Sequence, residues 1–477
     1  MKRALLVFLL GPVLGFGQAR PATTAGLLVL THVTVIDATG SPPKPDMSVE
    51  VRNHRIVAMS RTGQAPPSAD ARVVDATGRF LIPGLWDMHV HTGQRDIYLP
   101  LYIANGVTGV RDMGGDLEEP TGDLSARYVQ LRLWREAIEE GSLLGPRIVV
   151  AGFLVDGVAW PGNVRAANAV EGQQAVDVLK RLGVDFIKVK SFLSREAYFA
   201  IAAEARSQGL ALAGHVPGSV RAAEASDAGH KSVEHLTGVS LGCSAAEGQL
   251  MEEMAAAFAA RDRARYARAE SRAVATFDAL RAAALFARFV KNGTWQVPTL
   301  VELRRNALGG SSDETPAAGR KSDPRWTYLP ASLRERWEQE RASPADPAGP
   351  ALFASEIALV RGMHAAGVPF MAGTDSANPS VLPGFSLHDE LKLRVAAGFS
   401  PMEALQAATL NPARYLGRQR EGGTIEVGKL ADLILLGADP LADISNTRKI
   451  DAVIVNGRYL ARADLDAMLS RVEAEAR

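Results

Sequence analysis

The sequence predicts an α/β chain built on a (β/α)8 TIM barrel, with a small β-sandwich domain formed by both chain ends. Three observations carry that expectation. Short apolar strands alternate with Ala- and Leu-rich amphipathic stretches through the middle of the chain, the pattern of repeated βα units on a parallel sheet. Eight strand segments of this kind can be picked out, the number that closes a barrel. The two ends of the chain share a different, β-rich character.

At the start, MKRALLVFLLGPVLGFGQAR places Lys2 and Arg3 before an apolar run, with small Gly15 and Gly17 just ahead of Gln18. This reads as a signal peptide over residues 1–17, cleaved after Gly17, and implies a periplasmic or secreted protein. The apolar run, residues 4–16, is well short of the roughly 20 residues that span a bilayer, so no stable membrane insertion is expected. No cysteine follows the run to carry a lipid. The single cysteine, Cys243, rules out an intrachain disulfide.

Next, LLVLTHVTVIDATG and MSVEVRNHRIVAMS alternate apolar and polar residues and are punctuated by Asp-Ala-Thr-Gly and by Pro42, Pro43 and Pro45. They read as antiparallel strands, the N-terminal part of the sandwich over 24–82. Far downstream, GTIEVGKLADLILLG and IDAVIVNGRYL supply its C-terminal part over 419–477. The barrel takes 83–418. Its eight strands are expected at DMHVHT, VTGVRDMG, RIVVAGF, DFIKVK, LALAGHV, SVEHL, WQVPTL and PFMAGTD. Two stretches exceed a minimal barrel: 245–291, helical and rich in Ala and Arg, and 309–350, rich in Ser, Asp, Gly and Pro. Insertions this long serve as lids or binding walls, or as solvated decoration.

Composition narrows the function classes. With 477 residues, 47% hydrophobic, and Lys+Arg 53 against Asp+Glu 53, the chain has a large core and no net field, so no nucleic-acid partner is expected. Whether it forms a homo-oligomer stays open.

The chemistry begins in GLWDMHVHT. Successive side chains of a strand point to opposite faces, so His89 and His91 share a face with Val90 turned away, which suits two imidazoles on one ion. Barrel enzymes carry their sites at the C-terminal strand ends. Those ends also offer Lys188 and Lys190, His215, His235 and Asp375. Singly, each has an ordinary reading: His215 a core histidine, His235 a helix-edge one, Asp375 a helix cap. Together they point to a metal site. A lysine ammonium has no lone pair to give. Carboxylated by CO2, however, it becomes an anion able to bridge two ions about 3.5–4 Å apart. Lys188 and Lys190 share a strand face, and spacing does not choose between them.

These segments, DMHVH, FIKV, AGHV, SVEHL and AGTDSA, with a β unit before GLWDMH and LNPARYLG…GTIEVGKLADLILL after, resemble the amidohydrolase superfamily. The similarity is strongest to its imidazolonepropionase-like and Xaa-Pro dipeptidase-like branch of binuclear metal hydrolases, and it covers nearly the whole chain after the leader. The resemblance implies two divalent ions, most simply zinc. His89, His91 and Asp375 would hold the more buried one, His215 and His235 the more exposed one, and carboxylated Lys188 would bridge them. It also implies attack of a metal-bridging hydroxide on the scissile carbonyl, with Asp375 taking the proton and passing it to the leaving nitrogen.

The implied activity is cleavage of amide bonds in small molecules, either dipeptides of the Xaa-Pro type or N-acyl amino acids. Cyclic-amide hydrolysis and deamination are the alternatives within the superfamily, and a non-catalytic barrel is the alternative outside catalysis. Softer signals remain. Arg111, ending GVRDMGG, could bind a substrate carboxylate with its bidentate fork or pair with a neighbour such as Asp112. Trp160 and Tyr198 could line a pocket, but packing in the core is the commoner fate of large aromatics.

Overall fold

The architecture was obtained as a computed structural model, which describes residues 26–64, 66–114, 124–160, 162–260, 262–308, 323–340 and 348–477. The predicted signal peptide and much of 309–350 lie outside the described residues. No helix among the described residues is long and apolar enough to cross a membrane.

The strands run β1 (Leu28–Val35), β2 (Lys44–Arg52), β3 (Arg55–Arg61), β4 (Arg72–Asp75), β5 (Phe80–Pro83), β6 (Leu85–Val90), β7 (Val107–Asp112), β8 (Arg147–Val150), β9 (Leu154–Asp156) and β10 (Asn163–Arg165). They continue with β11 (Phe186–Val189), β12 (Ala211–Gly214), β13 (His230–Glu234), β14 (Trp295–Val297), β15 (Leu433–Leu436), β16 (Ile450–Val455) and β17 (Arg458–Ala461).

Mixed α/β architecture with parallel sheets is what the alternating pattern predicted, but a closed eight-stranded sheet is not what forms. The parallel strands make two arcs: β6-β7-β8, and β10-β9-β11-β12-β13-β14. The eighth expected strand, in PFMAGTD, pairs too irregularly to count as one. Phe370 bridges Gln296 in β14, and Ser376 bridges Val90 at the end of β6. The backbone between follows β6 through Met88 N to Ala372 O at 2.9 Å and Asp375 N to His89 O at 2.7 Å.

Gly373 shows why the ladder is broken there. A Cβ on it would lie 2.6 Å from Val297 Cγ1 and 2.8 Å from His89 Cβ, so only a bare backbone can approach both walls this closely. Strands β6 and β7 are buried almost end to end, as parallel strands covered on both faces must be.

The two chain ends do come together, as their shared β character predicted, but in one eight-stranded sheet instead of two packed ones. Its order is β17-β16-β15-β5-β1-β2-β3, with β4 also on β1. Leu433 to Leu436 of β15 run antiparallel to Pro83 to Phe80 of β5, which ties the C-terminal strands directly to the N-terminal ones. Val49 and Ile56 from one end of this sheet share an apolar cluster with Leu433 and Ile454 from the other. The sheet therefore bends over its own buried face, and this gives it a core where a sandwich would have used a second layer.

The 245–291 insertion is helical as expected, forming Glu247–Ala259, Arg263–Ala275 and Ala279–Asn292. Asp262 and Asp278 cap the second and third of these helices.

Candidate metal centre

Strand geometry delivers the four predicted histidines to one place. His89 and His91 come from β6 and the residue after it, His215 follows β12, and His235 follows β13. Their rings form a connected group: centroids lie 5.5 Å apart for His89 and His91, 4.5 Å for His89 and His235, and 5.0 Å for His215 and His235. Each has its Nδ1 already engaged. His89 Nδ1 donates to Glu234 Oε2 at 2.7 Å, and His91 Nδ1 to the Gly114 carbonyl at 2.5 Å. His215 Nδ1 pairs with Ser191 Oγ at 2.7 Å. His235 Nδ1 donates to Thr299 Oγ1 at 2.7 Å, whose own hydroxyl donates to the Pro298 carbonyl.

With every Nδ1 held, every Nε2 is left to face inward, which is the arrangement that metal-ligating imidazoles require of their outer partners. Burial pushes His91, His215 and His235 below the ordinary histidine range, so their rings are neutral and keep a lone pair at that nitrogen.

Asp375 closes the group. Its Oδ1 lies 3.2 Å from His89 Nε2 and 3.1 Å from His91 Nε2, and its Oδ2 lies 3.8 Å from His235 Nε2. One ligand atom each from His89, His235 and Asp375 falls within 4.8 Å of the others. His89 Nε2, His215 Nε2 and Asp375 Oδ1 are buried with no hydrogen-bond partner. Buried polar atoms are almost always partnered, so three orphans within one group of histidines and a carboxylate fit bound cations. Burial alone would raise Asp375, but the surrounding His89 and His235 outweigh it and keep the carboxylate ionised.

Lys188, on β11, is 1% exposed at the edge of this group, and burial pulls its ammonium down to about 7. Lys190, two residues on, is less enclosed and lies toward Trp160.

The backbone at the site departs from easy conformations. His235, Leu236, Thr299 and Asp375 have φ of 55°, 57°, 50° and 67°, the left-handed region that non-glycine residues avoid. Each such residue costs on the order of 1–3 kcal/mol and is tolerated where function over-determines geometry. Gly214 (φ 129°) is required before His215, because a Cβ there would sit 2.2 Å from the Val189 carbonyl oxygen.

Arg111 takes the ion-pair alternative, with Glu234 in place of Asp112, and not the substrate role. It is fully buried, does not line the cavity, and points beneath the histidines instead of toward a substrate. Nε donates to Met88 O at 2.6 Å, Nη1 to Ser232 Oγ and Tyr415 Oη, and Nη2 to Glu234 Oε1 at 2.8 Å. Its task is to hold Glu234, which holds His89.

Glu234 is the residue that sequence reasoning missed. Burial would raise its carboxyl, but Arg111 first and the His89 bond second hold it well below the usual carboxylate range. The signal was present in SVEHL: a carboxylate inside an apolar strand, beside a ligand-type histidine, needs a buried partner. Asp87 is a second missed residue. It accepts from Thr374 Oγ1 at 2.6 Å, Thr374 N at 3.0 Å and His89 N at 3.2 Å, which ties the irregular eighth segment to β6. Burial nevertheless raises Asp87 to about 7.

A cavity of about 680 Å3 opens over the group. Trp160 lines it, against the expectation of core packing, whereas Tyr198 is buried in the core, stacked near His230. The helical insertion supplies one wall through Met254, Tyr266 and Val274.

The sequence profile of the Amidohydrolase family matches residues 80–460. A 5-methylthioadenosine/S-adenosylhomocysteine deaminase from Moorella thermoacetica is 35% identical over 136 residues, 24% of this chain and 32% of that protein. An imidazolonepropionase from Shouchella clausii is 41% identical over 110 residues, 22% of this chain and 24% of that protein. These alignments thus span a third or less of the relatives' own length. Ochratoxinase from Aspergillus niger aligns more fully, 24% identical over 459 residues, covering 84% of this chain and 80% of that one. Among solved structures, a Xaa-Pro dipeptidase with methionine bound in its active site superposes with a TM-score of 0.63 at 21% identity, covering 91% of this chain and all of that one.

Proposed function

The chain belongs to the amidohydrolase family, and on that premise we propose that it is a metal-dependent hydrolase of amide bonds in small molecules, either dipeptides of the Xaa-Pro type or N-acyl amino acids. The observation that carries this is the convergence of orphaned His89 Nε2, His215 Nε2 and Asp375 Oδ1 beneath an open cavity. His89, His91 and Asp375 would hold one divalent ion, His215 and His235 a second, and carboxylated Lys188 would stand between them. The two parallel arcs, joined through residues 370–376, are read as one (β/α)8 barrel with the site at the C-terminal ends of its strands. The basic and apolar leader supports work outside the cytoplasm.

Bound divalent ions, most simply zinc given imidazole and carboxylate ligands, supply Lewis acidity toward the scissile carbonyl and make a nucleophile available near neutral pH. The chain's own residues do the rest. Glu234 and Thr299 fix the tautomers of His89 and His235. Asp375 accepts a proton at Oδ2 and returns it to the leaving nitrogen. The wall formed by the helical insertion narrows solvent access to the carbonyl.

A mass-spectrometric hydrolysis screen tests this, using zinc-loaded protein from Gln18 onward against pooled dipeptides, N-acyl amino acids and cyclic amides. Cleavage is expected in the first two pools. Ring opening confined to the third would move the protein to the cyclic-amide reading, and silence in all three would refute amide hydrolysis.

A further inference from the structure

Lys190 is, apart from Lys188, the one lysine or arginine among the described residues lining the cavity. Its ammonium forms no ion pair among the described residues, and stands 5.9 Å from the centroid of the Trp160 ring. Asp375 and Asp156 attract it through space without an ion-pair contact among the described residues. Asp156 Oδ1 accepts from Phe192 N at 2.8 Å and Gly157 N at 2.9 Å, and its Oδ2 from Trp160 Nε1 at 3.3 Å. A largely buried cation without a contact counter-ion is costly, and an anion arriving in the cavity removes that cost.

The remaining lining restricts where such an anion sits. Carboxylates of Glu302 and Glu356 line the cavity from the helices Leu300–Leu308 and Gly349–Ala365. The first of these helices follows β14, three strands along the sheet from β11. Glu302 there is already paired with Arg305, so the attraction for a substrate carboxylate lies on the Lys190 side.

Spacing adds a second constraint. A strand advances about 3.3 Å per residue, so Lys190 stands about 7 Å beyond Lys188 toward the mouth. That is close to the span from a scissile amide carbonyl to the carboxylate of the amino acid on the amide's nitrogen side, plus one hydrogen bond of about 2.8 Å. Beside Lys190 the wall is apolar. Phe192 meets Tyr266 edge-on, with centroids 6.2 Å apart, and Met254 and Val274 continue the surface.

Resting on the amide-hydrolase reading, we propose that Lys190 anchors the free carboxylate of the amino acid released from the amide, with Trp160, Phe192 and Tyr266 receiving an apolar side chain of that residue. The protein is then an exo-acting hydrolase: it removes a C-terminal residue and rejects substrates whose carboxylate is masked.

The test uses the zinc-loaded chain from Gln18 onward, as wild type, K190M and K190R. Calorimetry with L-phenylalanine and L-phenylalaninamide reads binding without turnover, and kcat/KM for N-acetyl-L-phenylalanine and its C-terminal amide reads selectivity. Wild type is expected to bind the free amino acid and to prefer the acid substrate at least tenfold. K190M should weaken L-phenylalanine binding at least tenfold and collapse the acid-to-amide ratio chiefly through KM, and K190R should restore much of both.

Equal binding of acid and amide by wild type, no binding at all, or binding indifferent to K190M overturns the anchor. So does loss of zinc from K190M by elemental analysis, which would make Lys190 a support of the metal. Lys190-dependent binding without hydrolysis of any amide in the screen would sink the hydrolase reading and leave the anchor standing.

Discussion

Glu234→Gln separates the two tasks of one buried carboxylate. Both Glu234 and Arg111 have no exposed side-chain area, and Glu234 also accepts from His89 Nδ1 and Ser232 Oγ. The amide keeps the shape but removes the charge facing the guanidinium. Breaking a buried ion pair from one side typically costs about 3–5 kcal/mol, because the surviving charge is left uncompensated. Losing an outer partner of a ligating histidine typically costs about 10–100-fold in metal affinity.

Chemical denaturation of the metal-free protein reads the first effect, and competition with a chromogenic chelator reads the second. The double variant Glu234→Gln with Arg111→Met tells the effects apart. It removes the stranded cation, so part of the stability should return, but His89 stays without its anionic partner, so the affinity should not. Wild-type zinc affinity in E234Q, within about twofold, would refute the claim that Glu234 orients His89.

Asp375→Asn should keep most of its zinc but lose about 10²–10⁴-fold in kcat, since proton transfer at Oδ2 is what it removes; near-normal turnover would end that assignment. Gly373→Ala pushes a methyl group into Val297 and His89 at separations below 3 Å, so it should lower both the soluble yield and the zinc content of what folds, measured by elemental analysis. Acid sensitivity should have a named contributor. Burial holds His388, set between Thr447 Oγ1 and the Asn105 carbonyl, down at about 4. The unfolded chain therefore binds a proton that the folded chain refuses between about pH 6.5 and 4. Its stabilising contribution is complete above that window and falls by about 3 kcal/mol as pH drops through it. His388→Gln should flatten the thermal midpoint against pH there, and an unchanged slope would remove His388 from the account.

Much of the candidate site was legible because its residues sit where strand periodicity and barrel logic place them. His89 and His91 needed only the alternation of β6, and His215, His235 and Asp375 needed only the ends of three further strand segments. What was not legible depends on register between strands far apart in sequence. Arg111 and Glu234 meet across 123 residues, and no local pattern records that one caps the other. A charged residue at a strand end therefore looked available to a substrate when it was already committed inward. Trp160 was misjudged because Lys190, from the end of a different strand, faces its ring in the cavity. The eighth strand was counted from its apolar composition, but the approach of Gly373 to His89 and Val297 breaks its ladder, and that closeness is visible only in three dimensions.

The sheet shared by both chain ends also sets a timetable. Strand β5 takes its partner from β15, so Leu81 waits for Leu435 before its outer edge is covered. At roughly 5–20 residues per second, the ribosome needs some tens of seconds to supply that partner. Through that interval the first strands exist as an apolar ribbon with a raw edge, the kind of surface that recruits holdases or neighbouring nascent chains. A truncation that removes only the last strands should therefore be felt first in the earliest ones, as aggregation of an otherwise intact N-terminal half.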